Sequence, residues 1–390
     1  MKVCVITTWP PHMDGIAQYS RELYTQMKDF IDIKIIANKL ETTNKSDEHY
    51  VERCWRRNDI LYPFKIFHSI LKEKPDIVHI QHGWLLYGRS ISPLLFILLL
   101  LMLRLKRIPT VVTVHTLVKK ETPIYKNVLI NAIVLISISA VTKLIFKLST
   151  KIILHTYMMK NFAVNAYGLK KEEEKITVIP HGSKIPHEMA DVPREKDEVR
   201  ILFLGFIRKE KGLECLASAF NSVVQTNKNV KLIIVGGRHA HDRPNYVKYL
   251  KAMFPQELLE KVCIKGFVDD KALDSILYGC DIIVLTSKEH NFLEVSGALY
   301  RVACYGKPVI CSRVPKFTCE LHDGEDCIFV EPCNSVNLAE AILFLTKNPF
   351  FRMYLGENLK KNFSSKHWAK ISEGHIKLYR SVLGQQRKHD

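Results

Sequence analysis

None of the ten cysteines forms a Cys-x-x-Cys pair, and no histidine–cysteine group has the spacing of zinc ligands. No structural zinc site is therefore expected. The series Cys311, Cys319, Cys327 and Cys333 is spaced too widely to define a chelate, while Cys4 and Cys280 sit in or beside apolar runs, as small buried hydrophobes do. They read as reduced thiols in a cytoplasmic protein. Gly-x-Gly-x-x-Gly is missing, so the dinucleotide fingerprint fails. Asp-x-Asp is missing too. Lys2 leads straight into a short apolar strand, which reads as a chain without a leader. Long apolar runs are scarce. Pro93–Leu103 is free of charge only as far as Arg104, too short to cross a bilayer, and reads as a buried helix or, second, as a membrane-dipping face. Ile124–Leu148 is apolar as well, but Lys143 and Lys147 interrupt it.

What is present is ordinary in amount and uneven in charge. At 390 residues the chain exceeds the size of one economical core, so two domains are expected. The formal net charge is +17, and residues 1–184 carry 27 Lys and Arg against 15 Asp and Glu. A basic first half suits anionic partners: nucleotide phosphates, lipid headgroups or nucleic acid.

The most informative stretch runs from Asp281 into Val309-Ile310. Ile282–Leu285 is β-branched and apolar, as a strand buried on both faces is. A polar loop follows from Thr286 to Glu294. Ser296-Gly297 then open a helically spaced segment that stops at Gly306, and Val309-Ile310 begin another strand. In such a βαβ unit the loop after the first strand faces a ligand crevice, and the helix tip offers bare amides to an anion.

The same rhythm recurs along the chain. Val3–Thr7 reads as a strand, followed by a Pro/Gly loop through Gly15 and an amphipathic helix to about Lys28. Asp32–Ala37 is a second strand, and Thr42–Asp59 is polar and loop-like. Further strands end in His82-Gly83 and at His115, and another covers Lys151–His155. Ile176–Gly182 closes the half, and Ser183–Glu198, dense in charge and turn formers, reads as a linker. A lone histidine on an apolar strand is by default a core group, but His115 stands at the carboxyl end of its strand, where ligand groups gather. Beyond the linker a strand ends at Gly205, and a loop carries Arg208 and Lys211 into a helix through Phe220. Val230–Gly237 and Val262–Val268 continue the pattern. Trp368, Ile371, His375, Leu378 and Tyr379 form a helical stripe in the tail.

Several of these stretches together carry a resemblance. Asp14-Gly-Ile-Ala17, "DIVHIQH", "VVTVHT", "VIPHG", Gly205-Phe-Ile-Arg208 with Lys211-Gly212, Ser296-Gly-Ala-Leu299, Gly306-Lys-Pro-Val-Ile310, Glu320 and Asp323-Gly-Glu325 are similar to segments of glycosyltransferase family 4. The resemblance implies an α/β protein of GT-B architecture: two Rossmann-like domains with parallel sheets facing across a cleft and a C-terminal helix crossing back to the first. The bounds are 1–186 for an acceptor domain, 187–365 for a donor domain, and 366–390 for the returning helix. It implies transfer of a hexose from a nucleotide diphosphate sugar to a hydroxyl acceptor, a glycan or glycolipid, with retention at the anomeric carbon. Arg208 and Lys211 would stabilise the charge that grows on the departing diphosphate, work a divalent metal does elsewhere. Neither cofactor nor metal is then expected, in keeping with the absent Asp-x-Asp. His115 would lie beside the transferred sugar, through its imidazole or its backbone carbonyl, with His82 the weaker candidate. Gly15, Ser296, Gly297, Leu299 and Val268 would contact the donor.

One departure stands out. The family pattern places two glutamates with seven residues between them before Gly-Lys-Pro, and those positions hold Leu293 and Arg301. Glu289 and Glu294 are the carboxylates left, with Glu294 slightly favoured, and ribose recognition is unexplained. The missing pair admits a non-catalytic nucleotide-sugar or glycan binder of the same fold. The charge admits a nucleic-acid binder, although no recognisable module or aromatic platform supports it. A cytoplasmic protein follows, with peripheral contact at the inner membrane face through the basic first domain as a further partner.

Overall fold

The computed structural model describes residues 1–40, 48–88, 92–186, 198–237, 246–288 and 292–386. These fall into two compact units. The first comprises Met1–Gly182, Asn291–Val295 and Trp368–Asp390, and the second Ser183–His290 and Ser296–His367.

Chain order in the first unit is β1 (Lys2–Thr7), α1 (Gly15–Thr25), β2 (Asp32–Asn38), β3 (Val51–Trp55), α2 (Tyr62–Glu73), β4 (Ile77–His82), α3 (Ser92–Leu105), β5 (Thr110–Val114), β6 (Thr116–Val118), α4 (Val128–Leu148), β7 (Lys151–Leu154), α5 (Tyr157–Ala166) and β8 (Ile176–Val178). Among the described residues seven of these strands form one parallel sheet, ordered β3-β2-β1-β4-β5-β7-β8. The strand order reverses between β1 and β4. Every residue of β4 and of β5 is buried, as strands covered by helices on both faces require.

The second unit runs β9 (Val199–Leu204), α6 (Leu213–Thr226), β10 (Val230–Val235), α7 (Tyr246–Lys251), β11 (Val262–Lys265), α8 (Asp270–Gly279) and β12 (Ile282–Leu285). After β13 (Phe292–Glu294), which belongs to the first unit, come α9 (Gly297–Val302), β14 (Val309–Ser312), α10 (Pro315–Thr318), β15 (Ile328–Val330), α11 (Ser335–Lys347) and α12 (Pro349–Phe363). Its described strands form a parallel sheet ordered β11-β10-β9-β12-β14-β15, reversing between β9 and β12. Two parallel α/β sheets are what the strand–loop–helix rhythm predicts.

The last helix, α13 (Trp368–Gln386), packs in the first unit. Its stripe Trp368, Ile371, Tyr379 and Val382 joins a core cluster with Val3, Tyr19, Leu23 and Ile179. At that seam Gly182 is sterically required, because a Cβ there would lie 2.2 Å from the Trp368 ring. Gly182→Ala must displace a rigid indole in a packed core, at a cost of about 1–3 kcal/mol. Denaturant unfolding should show the loss as a lower midpoint with an unchanged slope.

Three local readings differ from the structure. Residues 48–59 are not simply loop, since Val51–Trp55 forms the edge strand β3. Its polar sequence fits an edge: Glu52 accepts from Ser69, and Arg53 donates to the Asn38 and Pro10 carbonyls. The first helix ends at Thr25, not near Lys28. The stretch read as a polar loop to Glu294 contains β13, whose Phe292, Leu293 and Glu294 pair antiparallel with Val118, Leu117 and Thr116. Of the linker read at Ser183–Glu198, residues 187–197 lie outside the described residues.

Candidate functional site

In the second unit the chemistry gathers where the strand order reverses, at the carboxyl ends of β9 and β12. Leu204 ends β9, and Gly205 and Gly236 bring two strand ends into backbone contact. A Cβ on Gly236 would sit 1.8 Å from the Gly205 carbonyl oxygen, so the close approach of the two ends requires glycine at 236. The chain then runs extended through Arg208, makes one tight turn over Lys209–Lys211, and enters α6 through Gly212 at a φ of +65°.

That turn is fastened to the end of β12. Thr286 Oγ1 donates to the Lys211 carbonyl at 2.6 Å, and the Lys288 amide donates to the Glu210 carbonyl at 2.9 Å. Arg208 and Lys211 are therefore held at the switch point by main-chain bonds, both half-buried. Arg208 Nε lies 3.4 Å from Glu210, and Lys288 Nζ 3.4 Å from Glu214. Thr286 and Lys288 had no sequence signal beyond their place after an apolar strand.

Ser296 caps α9, its hydroxyl oxygen accepting from the Leu299 amide at 3.3 Å. The Leu299 side chain is fully buried. The cap uses one first-turn amide and leaves those of Gly297 and Ala298 without an intrahelical acceptor. Val268 follows the exposed Phe267, whose ring stands edge-on to Phe206 and fills the space a Gly237 side chain would need. Glu289 lies outside the described residues.

The two positions where glutamates were sought have other roles. Arg301 is buried and bonded to Asp270 at 2.8 Å and Asp274 at 3.3 Å, while Asp274 also takes the Tyr305 hydroxyl and lies 3.5 Å from Lys184. It completes a charge network in the second unit. Leu293 is buried in the first unit's core. Glu320 is bonded by the Tyr300 hydroxyl at 2.7 Å and Lys366 at 2.9 Å.

In the first unit, Gly15 opens α1 behind the cap Asp14. The Asp14 carboxylate accepts from the Ala17 amide, the Thr8 hydroxyl and His12. Burial alone would raise its pKa, but the bonds from His12, Ala17 and Thr8 hold it below the ordinary value. A Cβ on Gly15 would meet nothing within 4 Å, so no part of the protein demands glycine there.

His115 follows β5, and the residue after it, Thr116, pairs with Glu294. Two candidates from distant parts of the sequence thus meet in one unit, whereas Arg208, Lys211 and Ser296 belong to the other. His115 Nε2 lies 2.8 Å from Gln81 Oε1, and its Nδ1 3.2 Å from His155 Nε2. Gln81 donates to Tyr24, which with Tyr379 and Thr113 surrounds His79. Burial, reinforced by neighbouring His155 and His181, drives the His115 pKa well below 6.5. The imidazole is neutral at pH 7 with both nitrogens engaged. His82 is buried against Phe96 with no partner for either ring nitrogen, and burial lowers its pKa to about 4.

Two family models match consecutive parts of the chain: Glycosyltransferase Family 4 over residues 13–184, and Glycosyl transferases group 1 over 184–362. An uncharacterized glycosyltransferase of Methanocaldococcus jannaschii is 29% identical over 191 residues, covering 48% of this chain and 46% of that protein. The chain thus spans about half the length of the curated relatives it matches. Sucrose-phosphate synthase from Thermosynechococcus elongatus shares the fold, with a TM-score of 0.76 at 16% identity over 99% of this chain and 100% of that one. Anabaena HepE in complex with UDP-glucose superposes with a TM-score of 0.69 at 15% identity over 98% and 100%.

Proposed function

Because this chain belongs to the glycosyltransferases of family 4 and has the GT-B fold, we propose that it moves a hexose from a nucleotide diphosphate sugar to a hydroxyl of a glycan or glycolipid, with retention. The observation that carries the reading is the Arg208–Lys211 turn, pinned by Thr286 and Lys288 at the switch point of the second sheet. Two cations there, with the Gly297 and Ala298 amides, suit a diphosphate. HepE, whose fold is shared, is seen with UDP-glucose, which makes a UDP-sugar the first donor to try.

As the bond from the anomeric carbon to the diphosphate oxygen breaks, its electron pair stays on that oxygen. Negative charge grows on the diphosphate and positive charge on the anomeric carbon, so cations fixed at the diphosphate gain most in the transition state. The acceptor oxygen attacks the same face, and its proton passes to the departing phosphate. Arg208 and Lys211 are the groups assigned to the leaving group, Gly15, Val268 and Ser296 to donor contacts, and the His115 carbonyl with Glu294 to the sugar side. The cations take the part a metal takes elsewhere, so a chelator should leave the initial rate within about twofold of its value in buffer. A rate abolished by chelator and restored by magnesium would contradict this assignment.

Arg301 and Leu293, standing where glutamates were sought, favour a second reading: a binder of nucleotide sugars that transfers nothing. Release of nucleoside diphosphate, measured with and without acceptor hydroxyls, separates the two. Acceptor-stimulated release supports transfer, and tight donor binding without release supports the binder.

A further inference from the structure

Helix α4 presents apolar surface where a helix of a water-soluble core would not. It contains no acidic residue, and an apolar stretch of this length and composition could cross a membrane. Its last third is anchored, with Val141, Ile145 and Phe146 in the core of the first unit. Its first two thirds are not: Val128 is 83% exposed, Leu129 71%, Ile133 56% and Ile136 69%. Ile124 and Tyr125, just before it, are exposed too. A contiguous apolar face of this kind on a soluble protein marks a surface that something covers.

The charge around it identifies the cover. From Ile77 to Lys171, the segment holding α3, α4 and most of the connections between them, the chain carries thirteen Lys and Arg and one acidic residue, Glu121. The whole basic surplus of the first half lies there. Lys119, Lys120 and Lys126 precede α4, and the exposed Lys143 and Lys147 lie near its end. Apolar side chains bracketed by lysines at both ends, with a tyrosine beside them, are suited to an interface of lipid chains and anionic headgroups. A second copy of this chain is a poor alternative, because a two-fold contact would set one basic face against another.

Length settles how such a helix would sit. The exposed part, residues 128–140, extends ~20 Å at the rise of an α-helix, short of the roughly 30 Å hydrocarbon core. With basic residues at both ends its axis would lie along the surface. We propose that the Val128–Ala140 face of α4 inserts into one leaflet of an anionic bilayer and docks the protein there as a peripheral membrane protein. The inference does not depend on the transfer reaction, and it stands or falls separately from it.

The test is flotation of the full-length protein with vesicles of phosphatidylcholine alone or with about a third phosphatidylglycerol, alongside sedimentation velocity without lipid. The variant is Leu129→Ser/Ile133→Ser/Ile136→Ser, all at exposed positions, with its thermal midpoint measured to show that it folds. The expected result is flotation with the anionic vesicles, weak flotation with the neutral ones, release by high salt, and at least a tenfold lower bound fraction for the variant. Any of the following results would overturn the proposal. One is wild-type protein that stays in solution with both vesicles. Another is a variant that floats as wild type does, or flotation indifferent to lipid charge. The last is a wild-type dimer that the variant dissociates while neither binds vesicles.

Discussion

Replacing Lys211 by Ala should lower kcat by about 10²- to 10³-fold while leaving the thermal midpoint within a degree or two of wild type. The size follows from removing one fixed charge aimed at a leaving group, worth about 3–4 kcal/mol in a site shielded from water. The small stability effect follows from the anchoring: the Lys211 carbonyl, not its side chain, takes the bond from Thr286, and Gly212 supplies the left-handed turn. Thr286→Val separates the two contributions, because it keeps the cation but loosens its support. It should cost about tenfold. If Lys211→Ala turned over at the wild-type rate, the leaving-group assignment would fail.

The second large effect is with acid. His82, His155 and His375 have pKa values lowered to about 4 and His181 to about 3, in each case mainly by burial. Charging any of them in place is unfavourable, whereas in the unfolded chain they titrate near 6.5. The sign follows from which state binds more protons. Above about pH 6.5 both folded and unfolded chains hold these groups neutral, and the full stability is present. As pH falls from 6.5 toward 4 the unfolded chain takes up protons that the folded one refuses, and stability drops. Each group contributes up to about 3 kcal/mol, so four approach or exceed the whole stability of a typical domain. The first unit should therefore unfold well above pH 4, with a thermal midpoint falling steeply between pH 6.5 and 5. His82→Phe, which keeps the stack on Phe96 and removes a buried ring with no partner, should flatten that slope. A midpoint constant from pH 7 to 5 would contradict this account of the first unit's core.

The sequence discloses the parallel strands because a strand covered on both faces has no polar alternation to disguise it. Ile282–Leu285 and Val3–Thr7 are therefore recognisable alone. Edge strands are not: β3 carries Glu52 and Arg53 because its outer face is wet, and that made it look like loop. β13 is hidden for another reason. Three residues have no period, and what makes them a strand is pairing with Thr116–Val118, far away in the chain. The same long-range pairing puts Glu294 beside His115 and takes it out of the unit that holds Arg208, which no local pattern encodes. The Arg208–Lys211 loop was legible, because a Gly-ended strand, a basic turn and a helix start are contiguous. Its fastening by Thr286 and Lys288 was not. The histidine network likewise joins β4, β5 and α13, with His79 and Tyr379 three hundred positions apart. Composition made α4 apolar, but only the fold shows that two thirds of it faces outward.

A crystal of the protein soaked in turn with UDP, GDP, ADP and dTDP tests the central claim most directly. The account predicts that one of them binds with its diphosphate in ion-pair reach of Arg208 and Lys211 and within hydrogen-bond distance of the Gly297 amide. A diphosphate held elsewhere in the second unit, or no nucleotide bound at all, would contradict it.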